Sequence, residues 1–178
     1  MKKTRRGRSK LILVLGGAAS GKSQLALDLA GERGPRAFVA TGQALDREMK
    51  VRIERHQATR SSDWETAEVP IDLAKWFIEK GTSYQSIILD CLTLWLSNLK
   101  GQRLRDSAIS DATAGLLLAI RETKARVVIV SNELGLGLVP ATKPVRAFRD
   151  LAGRVNQQVA AEADEVYLAV SGLPLRLK

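Results

Sequence analysis

Eight consecutive residues near the amino terminus fit the pattern G-x-x-x-x-G-K-[ST] of a phosphate-binding P-loop. Backbone N–H groups of such a loop face phosphate oxygens, its lysine reaches the β- and γ-phosphates, and its last residue ligates Mg²⁺. The pattern therefore predicts a nucleoside triphosphate site, with Lys22 as a catalytic cation and Ser23 as a magnesium ligand. The residues are Gly16, Gly17, Ala18, Ala19, Ser20, Gly21, Lys22 and Ser23.

The segments on either side of this loop support the prediction. Residues 11–15 form an apolar run typical of a buried strand, and residues 22–33 have the spacing of a helix with Leu25, Ala26 and Leu29 on one face. A strand, a glycine-rich turn and a helix in this order place the helix amino terminus, with its partial positive charge, at the bound anion.

Asp90 ends a second apolar run, residues 87–89. An acid at the carboxyl end of a strand is the usual second anchor for Mg²⁺ in a P-loop protein, so Asp90 is predicted to share the metal with Ser23. The alternative is an ordinary strand-end acid, because the signal is weak when taken alone.

His56 is the only histidine. It lies at the edge of the apolar face of a helix predicted over 43–58, where a histidine is more often packed or exposed than catalytic. Arg52, Arg55 and Arg60 surround it, and positive neighbours favour a neutral, nucleophilic imidazole. Attack of that nitrogen on phosphorus would form a phosphoramidate.

The remaining pattern alternates strands with helices, which predicts an α/β fold with a mostly parallel sheet covered on both faces. Residues 64–70 fit either a strand or a loop, and 101–107 fit a mobile loop. The predicted strands are 11–15, 36–40, 87–92, 126–130, 166–170 and 175–177, and the predicted helices are 22–33, 43–58, 71–80, 107–124 and 144–164.

Charge and composition narrow the function classes. Residues 1–10 hold six basic groups and no acid, so only +3 of the formal charge of +9 belongs to 11–178. We expect a disordered arm over 1–10, a single catalytic domain over 11–178, and no nucleic-acid partner, since aromatic residues are few. The single cysteine, Cys91, and the lack of a long apolar run predict a cytoplasmic protein with no membrane span.

Further motifs follow the P-loop in a fixed order, and together they resemble one family. The chain resembles the bifunctional adenosylcobinamide kinase and adenosylcobinamide-phosphate guanylyltransferase of cobalamin biosynthesis, a family with a RecA-like P-loop NTPase fold, from residue 11 onward. The motifs are the loop 16–23, Ala40-Thr41-Gly42, the segment 52–68 (RIERHQATRSSDWETAE), residues 90–93 (DCLT), Ser131-Asn132-Glu133 with Gly135 and Gly137, and residues 148–157 (FRDLAGRVNQ).

The resemblance implies two reactions and their residues. In the first, ATP or GTP phosphorylates adenosylcobinamide. In the second, GTP forms a GMP–histidine at His56, and the GMP then passes to the phosphorylated cobinamide to give adenosylcobinamide-GDP. A homotrimer is also implied. The guanine nucleotide would be contacted by Gln57, Ala58, Thr59, Arg60, Glu68 and Asp90, with Ala40, Thr41 and Gly42 lining the site.

Two other interpretations stay open on the residues alone. A P-loop kinase of another small molecule would need no covalent adduct and leaves His56 without a role. A nucleotide-regulated binding protein would use the basic arm on RNA or acidic lipid. Asp90 also departs from the glutamate expected in the family, which leaves its reach to metal or ribose open.

The loop and helix after the fourth predicted strand contain weaker candidates. Glu133 could orient a substrate hydroxyl or sense the γ-phosphate, or it could be a solvated loop acid. Arg146, Arg149 and Arg154 lie on the polar side of the helix over 144–164. They could contact phosphate or a neighbouring subunit, but charged residues on a helix more often form a solvent-exposed face without a function. The tryptophans are predicted to be core or interface residues.

Overall fold

The computed structural model describes residues 9–44, 47, 51 and 62–178. The predicted catalytic residue His56 lies outside these ranges, as do Gln57, Ala58, Thr59 and Arg60. Most of the predicted helix over 43–58 and most of the basic arm are outside them as well.

Seven strands form one sheet in the order β3-β2-β4-β5-β1-β6-β7. Every neighbouring pair is parallel except β6 and β7, which form an antiparallel hairpin at one edge. The strands are β1 (Lys10–Gly16), β2 (Arg36–Ala40), β3 (Trp64–Glu68), β4 (Ser86–Asp90), β5 (Arg126–Asn132), β6 (Glu165–Val170) and β7 (Leu173–Arg176).

Five helices and one 3₁₀ turn connect the strands within the described ranges. The helices are α1 (Lys22–Ala30), α2 (Leu73–Lys80), α3 (Leu92–Gly101), α4 (Asp106–Glu122) and α5 (Lys143–Glu162), and the 3₁₀ turn is Gly81–Ser83.

Alternation along the strands divides the core between the two faces of the sheet. On β1, Leu11, Leu13 and Leu15 face a layer made by α2, α3, α4 and α5. Ile12 and Val14 face the other layer, where α1 contributes Ala26 and Ala30. The prediction of an α/β fold with helices on both faces of a mostly parallel sheet is therefore confirmed.

Several element boundaries differ from the prediction, and one ambiguous segment is a strand. Residues 64–70 contain the edge strand β3, and the closing strand predicted at 175–177 spans Leu173–Arg176. The run predicted as a strand over 87–92 ends at Asp90, and Leu92 already begins α3. The sequence analysis missed α3 because the apolar run of β4 continues through Cys91 into the first residue of the helix, which hides the boundary between them. The buried apolar residues of α3 do form one stripe, at Leu92, Trp95, Leu96 and Leu99.

Two of the three tryptophans are core residues, as predicted. Trp95 is buried and its indole N–H donates to the Ile71 carbonyl oxygen at 2.7 Å. Trp64 is also buried and packs edge-on against Phe38, with the Arg36 guanidinium over its ring. None of the helices in the described part of the chain is both long and apolar enough for a bilayer crossing.

Candidate nucleotide site

The predicted site residues converge at the carboxyl ends of the central parallel strands. Gly16 at the end of β1 is paired in register with Asn132 at the end of β5. Ala40 at the end of β2 is paired with Asp90 at the end of β4. This edge is where open α/β sheets bind their ligands, so strands far apart in sequence bring the P-loop and Asp90 to one side of the sheet.

The P-loop has backbone that other residues would not easily adopt. A Cβ on Gly16 would lie 2.5 Å from Ser20 Oγ and 2.6 Å from the Ala169 carbonyl oxygen, so only glycine fits. Gly21 has a φ of +93° and packs on Gly172, whose N–H donates to the Ser20 carbonyl oxygen at 3.0 Å. The β6–β7 turn therefore supports the loop, a contact that the sequence did not predict.

Two polar side chains point inward in this loop. Lys22 is 9% exposed, and its ammonium donates to the Gly17 carbonyl oxygen. Ser20 is 8% exposed, and its hydroxyl has no hydrogen-bond partner among the described atoms. Buried hydroxyl groups are rarely left without a hydrogen-bond partner. An oxygen of a bound phosphate would supply the missing partner of the Ser20 hydroxyl.

The amino terminus of α1 continues the loop without a capping side chain. Its first N–H groups have no intrahelical acceptor, and the helix dipole adds partial positive charge there. Gly17, Ala18 and Ala19 are exposed before it. This combination of open loop and uncapped helix is suited to an anion.

Ser23 and Asp90 are the predicted metal ligands. Ser23 is half-buried in the first turn of α1, and Asp90 is half-buried at the end of β4. A hydroxyl and a carboxylate are hard oxygen donors, which Mg²⁺ prefers together with phosphate oxygens and water. The donor set therefore fits a magnesium nucleotide, and the ligand roles stay predictions.

Cys91 follows Asp90 directly and is the N-cap residue of α3. Its Sγ accepts from Leu94 N–H at 3.4 Å, and its backbone N–H and carbonyl oxygen both bond to Thr41 Oγ1, at 3.0 and 2.7 Å. Burial, with a smaller contribution from the Asp90 charge, raises the pKa of the Cys91 thiol to about 11. The group is therefore a neutral thiol at physiological pH.

The segment predicted to line the site, Ala40 to Gly42, lies next to Cys91 between β4 and α3, because Thr41 bonds to Cys91. Thr41 is fully buried, and Asn98 donates to its carbonyl oxygen at 2.8 Å. Ala40 and Gly42 are half-buried, whereas Glu68, in register with Ala40 on β3, is exposed. Ala40, Gly42 and Glu68 thus lie at the same edge as the P-loop, and Thr41 uses its hydroxyl within the protein.

The loop after β5 contacts the P-loop directly. Glu133 N–H donates to the Gly16 carbonyl oxygen at 3.0 Å, and the Glu133 carboxylate accepts from Gly135 N–H at 2.9 Å. Farther along, Arg146 donates to the Pro140 and Ala141 carbonyl oxygens, and Arg154 pairs with Asp106 at 2.7 Å. These two arginines therefore stabilise the chain's own loop and helix contacts.

The sheet and the glycine-rich loop place the chain in the P-loop NTPase-like α/β class. A solved structure of the RadB recombinase has the same fold, with a TM-score of 0.50 and 15% identity over 91% of this chain and 76% of that one. A sequence identity of 15% supports a shared fold and does not support a shared function.

The family is given by sequence. The family model of CobU, cobinamide kinase / cobinamide phosphate guanyltransferase, matches residues 12–177, and the chain belongs to this family. The resemblance identified from the motifs is thereby confirmed.

Three bacterial relatives match over nearly the whole chain. The bifunctional adenosylcobalamin biosynthesis proteins CobU of Salmonella typhimurium and Escherichia coli are 40% and 38% identical to it, each over 94% of this chain and 99% of the relative. The bifunctional adenosylcobalamin biosynthesis protein CobP of Pseudomonas aeruginosa is 42% identical over 93% of this chain and 96% of the relative.

Proposed function

We propose that this protein is a bifunctional enzyme of adenosylcobalamin biosynthesis. It phosphorylates adenosylcobinamide with ATP or GTP, and it then transfers GMP from GTP to the product, giving adenosylcobinamide-GDP. The observation that carries the proposal is the P-loop with its uncapped helix and buried Lys22, in a chain whose family match extends over residues 12–177.

The kinase step needs little from the protein beyond position and charge. The cobinamide hydroxyl oxygen bonds to the γ-phosphorus while the bond to the bridging oxygen breaks, and the nucleoside diphosphate leaves with the electron pair. N–H groups of the loop and of α1 hold the phosphates. Lys22 is proposed to stabilise charge on the phosphates, and the reach of its ammonium across the loop to the Gly17 carbonyl oxygen supports this role.

Ser23 and Asp90 would hold the magnesium ion of the nucleotide. When bound, Mg²⁺ neutralises charge on the β- and γ-phosphate oxygens. Asp90 ends β4, which is separated from β1 and its phosphate loop by β5 alone, at the same edge of the sheet. Its backbone is fixed on both sides, by pairing with Ala40 and by the bonds of Cys91 to Thr41.

For the second reaction we propose His56 as the nucleophile. A neutral imidazole nitrogen attacks the α-phosphorus of GTP and pyrophosphate leaves, after which a phosphate oxygen of the cobinamide attacks the GMP–histidine and releases the histidine. Gln57 to Arg60, Glu68 and the segment Ala40 to Gly42 are proposed to contact the guanine nucleotide. Family membership supports these roles.

A homotrimer and a cytoplasmic location belong to the same proposal. The trimer derives from the family resemblance alone, and the location derives from the single cysteine and the lack of a long apolar run. Sedimentation equilibrium of the purified protein would measure the mass directly, and a species of one chain mass, 19.4 kDa, would contradict the trimer.

The decisive experiment uses GTP labelled at the α-phosphate. The protein is incubated with Mg²⁺ and labelled GTP, denatured, and assayed for retained label. We expect label that is lost in acid and stable in alkali, as a phosphoramidate should be. His56→Ala should retain none, and because His56 is the only histidine, the variant removes every imidazole.

Two parallel samples separate the possible failures. GTP labelled at the γ-phosphate should leave no label, since pyrophosphate departs. Lys100→Ala, which changes a lysine bonded to Leu104 and Asp106, should label like the wild type. A folded wild-type protein that binds GTP but retains no label would contradict the guanylyltransferase and leave a P-loop small-molecule kinase.

A further inference from the structure

A closed ring of hydrogen bonds lies at the carboxyl end of β5. It joins Thr93 in the first turn of α3, Ser131 and Asn132 at the end of β5, and Asn156 on α5. The Asn132 N–H donates to Thr93 Oγ1 at 2.9 Å, and Asn156 Nδ2 donates to the Asn132 carbonyl oxygen at 3.1 Å. Ser131 Oγ lies 2.7 Å from Asn156 Oδ1 and 3.3 Å from Thr93 Oγ1.

Proton positions in the ring follow from its chemistry. The Asn132 carbonyl oxygen only accepts, so it requires the Asn156 amide nitrogen, and this leaves Asn156 Oδ1 facing Ser131. The Ser131 hydroxyl must then donate to Asn156, and the Thr93 hydroxyl must donate to Ser131. Each member has its partner, and Thr93, Ser131 and Asn156 are 7%, 0% and 4% exposed. Such a buried, satisfied network has one low-energy arrangement.

The ring determines where the next residue lies. It holds both backbone polar groups of Asn132, which is paired in register with Gly16. The following N–H, from Glu133, donates to the Gly16 carbonyl oxygen at 3.0 Å. Glu133 is therefore fixed at the start of the phosphate loop by bonds on either side of its own position.

The Glu133 side chain is also held. Its carboxylate accepts from Gly135 N–H at 2.9 Å, and the chain is half-buried. The carboxylate belongs to a residue whose backbone contacts the phosphate loop. It would repel the phosphates themselves, whereas a substrate hydroxyl that donates to it is a favourable partner. We propose that Glu133 orients the hydroxyl that accepts the phosphoryl group, and that Asn156, with Thr93 and Ser131, is its positioning residue.

This inference rests on the proposed kinase activity, and it accounts for the proton that the acceptor hydroxyl loses. As the hydroxyl oxygen bonds to the γ-phosphorus and the nucleoside diphosphate leaves, the hydroxyl proton passes to the Glu133 carboxylate. Water in the emptied site then accepts it. A carboxylate placed for this transfer contributes typically about 10²- to 10⁴-fold in rate.

The first test measures phosphoryl transfer to adenosylcobinamide under initial-rate conditions. Glu133→Gln keeps the shape and an oxygen for Gly135, and it should lower kcat by about 100-fold or more while leaving the KM for the nucleotide within about threefold. Glu133→Asp retains a carboxylate and should recover at least about a tenth of the wild-type kcat. A kcat for Glu133→Gln within about threefold of the wild type would overturn the proposal.

The second test changes the ring. Asn156→Leu and Thr93→Val have nearly the native shape without the polar groups, and each should lower kcat by about tenfold without raising the KM for the nucleotide. The matched control is Thr113→Val, since Thr113 is fully buried and its hydroxyl donates only to Ile109 within α4. Equal kcat losses in Thr93→Val and Thr113→Val would show a merely structural ring.

A third pair of variants displaces the carboxylate without touching the ring. A Cβ on Gly135 would lie 2.9 Å from Glu133 Oε1, the end of a flexible side chain, whereas a Cβ on Gly137 would meet nothing closer than 3.9 Å. Gly135→Ala should therefore reduce kcat, and Gly137→Ala should not. Equal kcat values for the two variants would count against Glu133, even if the ring variants failed to fold.

Failure of the proposed function and failure of this inference have different signatures. No phosphoryl transfer by the wild-type protein would contradict the kinase. A wild-type enzyme that turns over, with variants that turn over equally fast, would contradict the role of Glu133 alone.

Discussion

Two helices begin at the carboxyl edge of the sheet, and they begin in opposite ways. Between β1 and α1 the chain runs through five residues, Gly17 to Gly21, and the N-cap residue Gly21 provides no capping side chain. Between β4 and α3 only Cys91 intervenes, and its Sγ accepts from Leu94 N–H. Thr41 bonds to both backbone polar groups of Cys91.

The difference explains why only one of the two is a candidate anion site. Both helices have a dipole and unpaired first-turn N–H groups in principle. At the start of α3 the Cys91 side chain accepts from a first-turn N–H, and Thr41 bonds the backbone of Cys91. This helix terminus is therefore closed to an external anion. At α1 the N-cap residue is Gly21, which has no side chain to accept from the first N–H groups, and Gly17, Ala18 and Ala19 before it are exposed. A helix amino terminus becomes a binding site only where the local sequence leaves it open.

Removal of the loop's cation should have the largest effect. Lys22→Ala should lower kcat for cobinamide phosphorylation by about 100-fold or more, because the ammonium stabilises charge that develops on the phosphates. Initial rates on protein checked by circular dichroism would measure this effect. Lys100→Ala is the control, and near-wild-type turnover by Lys22→Ala would mean that the loop does not hold the reacting phosphates.

A side chain added at the first glycine of the phosphate loop should have the next largest effect. In Gly16→Ala the added Cβ would strike Ser20 Oγ and the Ala169 carbonyl oxygen, so the loop must shift. We expect a loss of about 1–3 kcal/mol in stability and weaker nucleotide binding, measured by urea unfolding and by calorimetric titration. Gly115→Ala in α4, where a Cβ meets nothing within 4 Å, should bind nucleotide normally. Equal binding by both variants would contradict the steric account.

The closed helix start can be tested through pH. The folded pKa of Cys91 is raised from 9.0 to about 11, chiefly by burial, so the thiol contributes stability fully below pH 9.0 and loses it as pH rises toward 11. By about pH 10.5 the wild type should lose about 2 kcal/mol relative to Cys91→Ala. Urea unfolding of both proteins from pH 8 upward would show this difference, and parallel stability curves would contradict it.

The smallest effect is expected at Ala19, which has a φ of +53° in the loop. Ala19→Gly removes a left-handed strain of roughly 1–2 kcal/mol but increases the entropy of the unfolded chain by a comparable amount. The midpoint of thermal unfolding should shift little, and nucleotide affinity should stay unchanged. A large loss of affinity would mean that the loop depends on the alanine side chain and not on its backbone.

The sequence by itself determined the features that depend on neighbouring residues. The strand, the glycine loop and the lysine at 10–23 are adjacent in the chain, so their backbone chemistry can be recognised without a fold, and the family motifs extend that recognition to residue 157. Element type was predictable for β1, β2 and β5, which are continuous apolar runs, and for α5, whose apolar residues recur at spacings of three and four. The prediction missed α3, because the apolar run of β4 continues into the first residue of that helix.

Only the tertiary structure decided which distant side chains meet. Three hydrogen bonds join residues that are 25 or more positions apart in the sequence: Thr41 to Cys91, Gly172 to Ser20 and Asn156 to Ser131. Such contacts depend on strand order and register, which place Asn132 beside Gly16. A buried threonine or asparagine looks the same in the sequence whether it stabilises a helix, as Thr113 does, or fixes a residue at the phosphate loop, as Asn156 does.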